Sequence, residues 1–434
     1  MIPCTEIVSF IDEGLSFLKG VITAIPLENL KMMATALILG KKFRLAEISR
    51  LWLKEKSVNA FSHFLAAAKL PLDLMLQAYY RMLQRVLPLG SGYFIIDDTL
   101  EHHSKMCRCI FGVQKHYDHV LGKMVKAECL VFLYFSLGVI KFPIAWRVYY
   151  RNGNKTKNEL ALELVAEGLR AGFGCEAVLA DAWYCVSPFI AGLQKLGVNY
   201  IFDLKTNATI DVPVAKKRAE KKRGRKRSKW YRKVNVVEYF KRLIWGKDVG
   251  FAGDVESGKG EAVLYRTKEA IRKIHALPGN HKLVMTYNPK RHTTKYLITN
   301  VLEWEGVKVI KSFYERWSIE EFFQNVKQLF NLEGAMVRGE QAGAIKLLLV
   351  SYCDALLHLE VVKIALKNPQ SAPVTVQSIV RLAMVENAEH FVKLVGDNDQ
   401  GKSFLERWIT QLKEGAFRKR VQRSPVVCFS AASC

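Results

Sequence analysis

The sequence predicts a mixed α/β sheet flanked by helices, preceded by a helical region and interrupted by a mostly β insertion. Three observations predict it. After residue 91, short apolar runs rich in aromatic and β-branched residues alternate with helical periodicity, in the order three strands, helix, strand, helix, strand. Residues 1–88 look helical. Residues 205–300 change character again, combining a basic run, short β-like segments and several Gly and Pro.

Taken in order, residues 43–65 have a helix-turn-helix cadence: a helix over 45–53, a break near 54–57 and a second helix from Val58. DNA binding in the major groove and an ordinary helical hairpin both remain open for this pair. The run Tyr93-Phe94-Ile95-Ile96 reads as a buried strand that ends at Asp97-Asp98-Thr99. Strands follow over 128–137 and 142–150, a helix over 158–169, a strand over 177–180 ending at Asp181, a helix over 188–196 and a strand over 199–204. Strand-like segments at 262–265, 282–287 and 296–299 form the insertion. Helices return at 313–327 and 343–359, and the stretch from Pro369 is helical before a basic tail over 418–434. The division this predicts is a helical region 1–88, a core 89–204, an insertion 205–300, the rest of the core 301–365, and a C-terminal helical region with its tail, 366–434.

Composition narrows the partners. The 434 residues, half of them hydrophobic, suffice for a large core. Lys and Arg outnumber Asp and Glu by 65 to 41, a formal charge of +24, which favours a polyanion, nucleic acid before membrane. Between Lys216 and Lys233 stand twelve Lys or Arg and one Glu. Within that run Arg223, Arg225, Lys226 and Arg227, with Trp230 beside them, suit a loop that tracks phosphates. The nine scattered cysteines and the lack of a secretory signal predict a reducing cytosol without a disulfide framework. The apolar stretch 129–145, broken by Gly138, Lys141 and Pro143, reads as two buried strands rather than a membrane span.

The chemistry lies in three acids and two cations. Asp97 (or Asp98) and Asp181 follow buried strands, a usual place for a site over an α/β sheet. Taken as one helix, residues 313–327 put Arg316, Glu320 and Lys327 within roughly 40° of one another at roughly 100° per residue. Ile319, Phe322, Val326, Leu329 and Phe330 cluster on an adjoining side that suits burial. An Arg–Glu pair at this spacing alone is a surface ion pair. With two strand-end aspartates upstream, Glu320 becomes the third of three carboxylates. Converging carboxylates need cations, and Mg²⁺ prefers oxygen ligands. Two such ions about 4 Å apart serve phosphoryl transfer. Arg316 and Lys327 then hold the phosphates.

These residues resemble the DDE transposases of the insertion-sequence-four group, whose catalytic core is RNase H-like. That group carries Tyr, two residues, Arg, three residues, Glu, six residues, Lys; here Arg316, Glu320 and Lys327 match, while Phe313 stands in the Tyr position with Tyr314 beside it. Asp97-Asp98-Thr99 resembles the first acid motif, and Leu179-Ala180-Asp181-Ala182-Trp183-Tyr184 the second. Asp97 is favoured over Asp98 because it directly follows the strand and preserves Asp-x-Thr. The resemblance covers about residues 91–360. It implies a DNA transposase of an insertion sequence in a prokaryotic cytoplasm, with Asp97, Asp181 and Glu320 binding two Mg²⁺ ions or Mn²⁺ in their place. Its partners would be the terminal inverted repeats and target DNA, bound by a homodimer. The resemblance also implies an insertion aromatic that stacks on a flipped base; Tyr296 is the candidate, and a core strand aromatic is the alternative. The alternatives to a transposase are an RNase H-like nuclease without strand transfer and a silent DNA-binding descendant.

Two further signals are set aside. Residues 396–403 fit a phosphate-loop pattern, but Asp397 and Asp399 would oppose the phosphates and too little chain follows to complete such a domain. His102, His103, Cys107, Cys109, His116 and His119 match no common zinc spacing and read as polar loop residues.

Overall fold

A computed structural model of the chain describes residues 2–41, 43–52, 56–67, 70–87, 90–104, 107, 110–213, 231–246, 248–251, 263–334, 337–367, 374–395, 406 and 409. Helices α1 (Ser9–Leu15), α2 (Ala24–Gly40), α3 (Leu45–Leu51), α4 (Val58–Ala67) and α5 (Leu72–Val86) come first. Strands β1 (Gly92–His103), β2 (Gln114–Asp118), β3 (Lys123–Leu137) and β4 (Ile140–Tyr149) lead to α6 (Lys157–Arg170), β5 (Cys175–Ala180), α7 (Ser187–Lys195) and β6 (Tyr200–Asp203). Next are β7 (Thr209–Pro213), β8 (Tyr231–Asn235), α8 (Val236–Lys241), β9 (Asp248–Phe251), β10 (Val263–Ile274), β11 (Asn280–Asn288) and β12 (Thr293–Thr299). Helices α9 (Gly306–Tyr314), α10 (Trp317–Gln328), α11 (Glu340–Lys367) and α12 (Val376–Val395) complete it.

The elements form two units. The first takes Met1–Gly92, Asp97–Gly174 and the chain from Ser318; the second takes Tyr93–Ile96 and Cys175–Trp317. In the first unit β3 pairs with β2 through residues 123–127, with β4 through 129–137, and with β1. Gly138, at φ +62°, turns the chain from β3 into β4, in a region of backbone space that favours glycine. In the second unit the order is β1-β5-β6-β12-β11-β10-β7-β8, with β9 on β10. There β5 and β6 are parallel and the insertion strands are antiparallel. With parallel and antiparallel pairs together, the fold is a mixed α/β one, its sheet flanked by helices.

Local sequence explains the principal helices. Thr156 and Glu159 form a reciprocal capping box at the start of α6. Helix α5 buries Met75, Ala78, Tyr79, Met82 and Leu83 along one stripe at helical spacing. Helix α11 is buried on nearly every side and packs against α1, α2, α4, α5, α12 and β4. Two of its polar side chains find buried partners: the Tyr134 hydroxyl donates to Asp354 at 3.2 Å, and Lys346 meets Glu128 at 2.6 Å. Among the described residues no helix is long and apolar enough to cross a membrane.

Three sequence expectations change. His102 and His103 lie in β1 and His116 in β2 rather than in a loop. Strand β1 does not end at Asp97 but continues to His103. The continuation is possible because Asp98 is neutralised by Lys157 at 2.5 Å. Residues 313–327 are not one helix either. Helix α9 ends at Tyr314, Glu315 and Arg316 form a turn, and α10 begins at Trp317. The Glu315 amide donates to Ser312 O and the Arg316 amide to Phe313 O, both at 3.1 Å, closing α9 with short-range turns instead of passing the helix on.

Candidate active site

The first unit holds Asp97, Glu320 and Lys327. Strand alternation puts Asp97, Thr99, Glu101 and His103 on one face of β1 and Asp98 on the other. The partners agree with this division. Asp98 meets Lys157 of α6 and accepts from the Cys129 thiol at 3.6 Å. His103 approaches Glu128 at 3.4 Å, and Glu101 lies in the fields of Lys327 on α10 and Lys346 on α11. Asp97 therefore sits on the face that α10 and α11 cover, and Asp98 sits under α6.

Helix α10 is seated on that face by its apolar side. Phe322 packs on Phe132 and Tyr134 of β3, with ring centroids 5.0 and 5.1 Å away, and Ser318 bonds Ser136 at 3.1 Å. Glu320 stands in the first turn of α10, and Lys327, seven residues on, returns to the same side. The Lys327 ammonium donates to the Leu100 carbonyl of β1 at 3.1 Å. This bond ties the Glu320-bearing helix to the Asp97-bearing strand.

Below this face lies a buried polar cluster that the sequence did not single out. Glu101 is wholly buried, and among the described residues neither of its carboxylate oxygens has a hydrogen-bond partner. Burial raises its carboxyl to about 8; Lys327 and Lys346 oppose the rise, and Glu333 and Glu128 add to it. The folded protein therefore holds a proton that the unfolded chain releases near 4.5. Stability from this group is full at low pH, falls as pH rises from about 4.5 to about 8, and is level above. Glu101→Gln should match the parent at pH 4 and exceed it at pH 8.5 by up to the order of 4 kcal/mol, at about 1.4 kcal/mol per pKa unit. Urea unfolding at the two pH values measures this, and a Gln variant no more stable at pH 8.5 would refute it.

The second unit holds Asp181 and Arg316. Asp181 directly follows β5 and accepts from the Trp183 amide at 2.9 Å. The β5–β6 register runs Val178↔Tyr200, Leu179↔Ile201, Ala180↔Phe202, so the next pair is Asp181 with Asp203. Asp203 is a carboxylate that the sequence reading passed over. Burial raises its carboxyl; Lys295, the Leu204 amide and Arg316 pull it down, and Asp181 pushes it up. Asp181, Asp203, Lys295 and Arg316 thus form one charge group at the ends of β5 and β6. The only earlier signal for Asp203 was its place at a strand end. The Arg316 guanidinium also lies over the Phe313 ring at 5.7 Å, and Phe313 is buried.

Tyr296 is in β12, 6% exposed, with its ring against Phe240 at 5.6 Å. Base stacking there would require uncovering the ring. Trp245, 44% exposed beneath the Lys268 ammonium, and Trp183, 42% exposed beside Asp181, are more accessible than Tyr296. Arg223, Arg225, Lys226, Arg227 and Trp230 lie outside the described residues, as do Cys109 and residues 396–403. Strands β7 and β8 on either side of that basic run pair up to Pro213↔Tyr231. His102 bonds Asp118 at 2.7 Å. Among the described residues no group of three or more His, Cys, Asp or Glu side chains is assembled as a metal site.

No curated protein matches the chain. Solved structures similar to it include a cryo-EM structure of a piggyBac transposase synaptic complex with hairpin DNA, at 13% identity and a TM-score of 0.46, over 96% of this chain and 82% of that one. Residues 44–239, just under half of the chain, match the family model described as DDE superfamily endonuclease, and the match supports a DDE transposase.

Proposed function

We propose that the chain is the DNA transposase of an insertion sequence, acting on DNA in a prokaryotic cytoplasm. The observation that carries this is the Lys327–Leu100 bond, which ties the helix bearing Glu320 to the strand bearing Asp97. The DDE superfamily endonuclease match adds the chemical class, and such enzymes are generally divalent-metal dependent.

In this reading Asp97, Asp181 and Glu320 are the metal-binding acids. Their donor chemistry fits Mg²⁺, since carboxylates offer only oxygen, and Mn²⁺ takes the same ligands. Asp98 fits poorly, because Lys157 occupies its carboxylate at 2.5 Å. When bound, such cations activate an attacking oxygen and stabilise a leaving one. The chain's part is positioning. Arg316 and Lys327 hold the phosphates flanking the cut, and Asp203 balances the charge of Arg316 and Lys295 beside Asp181. The basic residues Arg223, Arg225, Lys226 and Arg227, with Trp230, extend the contact along the backbone, and Tyr296 serves as a stacking residue only once uncovered. Helices α3 and α4 contribute to recognition of the terminal repeats. Joining two ends requires two active sites, hence a homodimer on DNA.

The test is a labelled duplex carrying the element's end, incubated with the protein and Mg²⁺. A nick that releases a 3′-hydroxyl, followed by joining to target DNA, is the expected result. Cleavage without joining would replace this reading with a nuclease, and binding without cleavage in Mg²⁺ or Mn²⁺ would replace it with a silent binder.

A further inference from the structure

The β2–β3 hairpin of the first unit ends in an exposed apolar tip. Val120 is 94% and Leu121 49% exposed. Just behind them Tyr117 and Met124 face each other across the ladder, 51% and 46% exposed. Isolated exposed apolar residues are ordinary, but four at one tip are a patch. The next pair on the same face is Lys115↔Lys126, and Lys123 and His119 flank the turn.

The tip is held rigid. One carboxylate oxygen of buried Asp118 accepts from the Val120 amide at 2.7 Å and the Leu121 amide at 2.9 Å, while the other meets the His102 ring at 2.7 Å. Gly122, at φ +62°, completes the turn. The Tyr117 ring leans on His119, with centroids 5.0 Å apart. Little conformational entropy is left to lose when the tip meets a partner.

We propose that this hairpin is a DNA-deforming arm, with Val120 and Leu121 wedged against a base step and Lys115 and Lys123 on the flanking phosphates. Charge decides the occupant. A second copy docking tip to tip would bring Lys115 and Lys123 against their own equivalents, whereas a duplex supplies the opposite charge to both lysines. Apolar wedges backed by cations unstack a base step and bend the helix, which exposes more duplex to the protein. The hairpin lies apart from Asp97 and Glu320 in sequence, and the inference rests on the reading of the chain as a DNA-acting enzyme.

The test uses the full chain and a duplex labelled at both ends for energy transfer. The double variant V120S/L121S should weaken binding about tenfold and reduce the bend, with an unchanged salt dependence. The double variant K115A/K123A should lower the slope of log affinity against log salt by about 0.9 per lost phosphate contact. The thermal midpoint of each variant, matched to the parent's, confirms folding at these exposed positions. Both variants binding and bending duplex as the parent does would overturn the arm. So would a fall in the DNA-free molecular mass on V120S/L121S, which would make a second copy the occupant. A parent that bound no duplex would overturn the transposase reading together with this one; a binding parent with indifferent variants would overturn this one alone.

Discussion

Glu320→Gln should lower cleavage of an element end by at least about 10³-fold while leaving fold and DNA affinity in place. The substitution keeps the shape and helix propensity of the side chain and removes only its charge. The packing that seats α10 is made by Ile319, Phe322 and Val326, which stay as they are. Affinity for DNA should hold or rise slightly, since a negative charge near the phosphates is lost. A loss confined to the chemical step corresponds to about 4 kcal/mol of barrier at about 1.4 kcal/mol per factor of ten. The chain supplies its own control in the neighbouring Glu321, whose carboxylate pairs with Lys141 at 2.9 Å. Glu321→Gln should cleave within threefold of the parent. Single-turnover cleavage of the three proteins in Mg²⁺ measures this, and Glu320→Gln cutting and joining like Glu321→Gln would remove Glu320 from the mechanism.

Most of the fold could be read from apolar patterning, because the strands of the core are continuous buried runs bounded by turn residues. The helix of 158–169 and the strands at 177–180 and 199–204 appear as α6, β5 and β6 with ends shifted by a residue or two. What patterning could not show was continuity set by tertiary partners. Asp97-Asp98-Thr99 looks like a strand terminus, yet β1 runs through it because Lys157, fifty-nine residues later, neutralises Asp98. Residues 313–327 look like one helix, yet they break at Glu315–Arg316, just before the chain passes from the second unit to the first at Trp317–Ser318. Asp203 and Glu101 were missed for a related reason. A lone acid at the end of a strand or within one has no local spacing to mark it, and its meaning comes from neighbours distant in sequence. The Phe313 mismatch is partly explained by burial: a phenyl ring packs there without a hydroxyl to satisfy.

Lys346→Met should be among the most destabilising single changes in the chain, by about 3–5 kcal/mol at neutral pH. Lys346 and Glu128 are almost completely buried and 2.6 Å apart, and the His103 ring is a second partner of Glu128 at 3.4 Å. Burial alone would raise the Glu128 carboxyl; the His103 bond and the Lys346 ammonium together outweigh it and hold the group below its usual range. Methionine fills the space of the lysine stem but leaves a buried carboxylate short of its closest cation. The sign with pH separates this cause from a packing defect. In the parent, Glu128 contributes stability that is present above the unfolded carboxyl value and is lost as pH falls through its depressed one. In Lys346→Met the folded carboxyl should rise instead, so the deficit against the parent should shrink as pH falls and Glu128 takes up a proton. A packing defect would stay constant with pH. Removing both charges, as in K346M/E128L, should cost less than Lys346→Met alone, since replacing a buried ion pair with apolar side chains is often neutral. Urea midpoints of the three proteins at pH 5 and 7.5 measure this. A Lys346→Met variant within about 1 kcal/mol of the parent at pH 7.5 would show that His103 alone sustains the buried Glu128 carboxylate beneath β1.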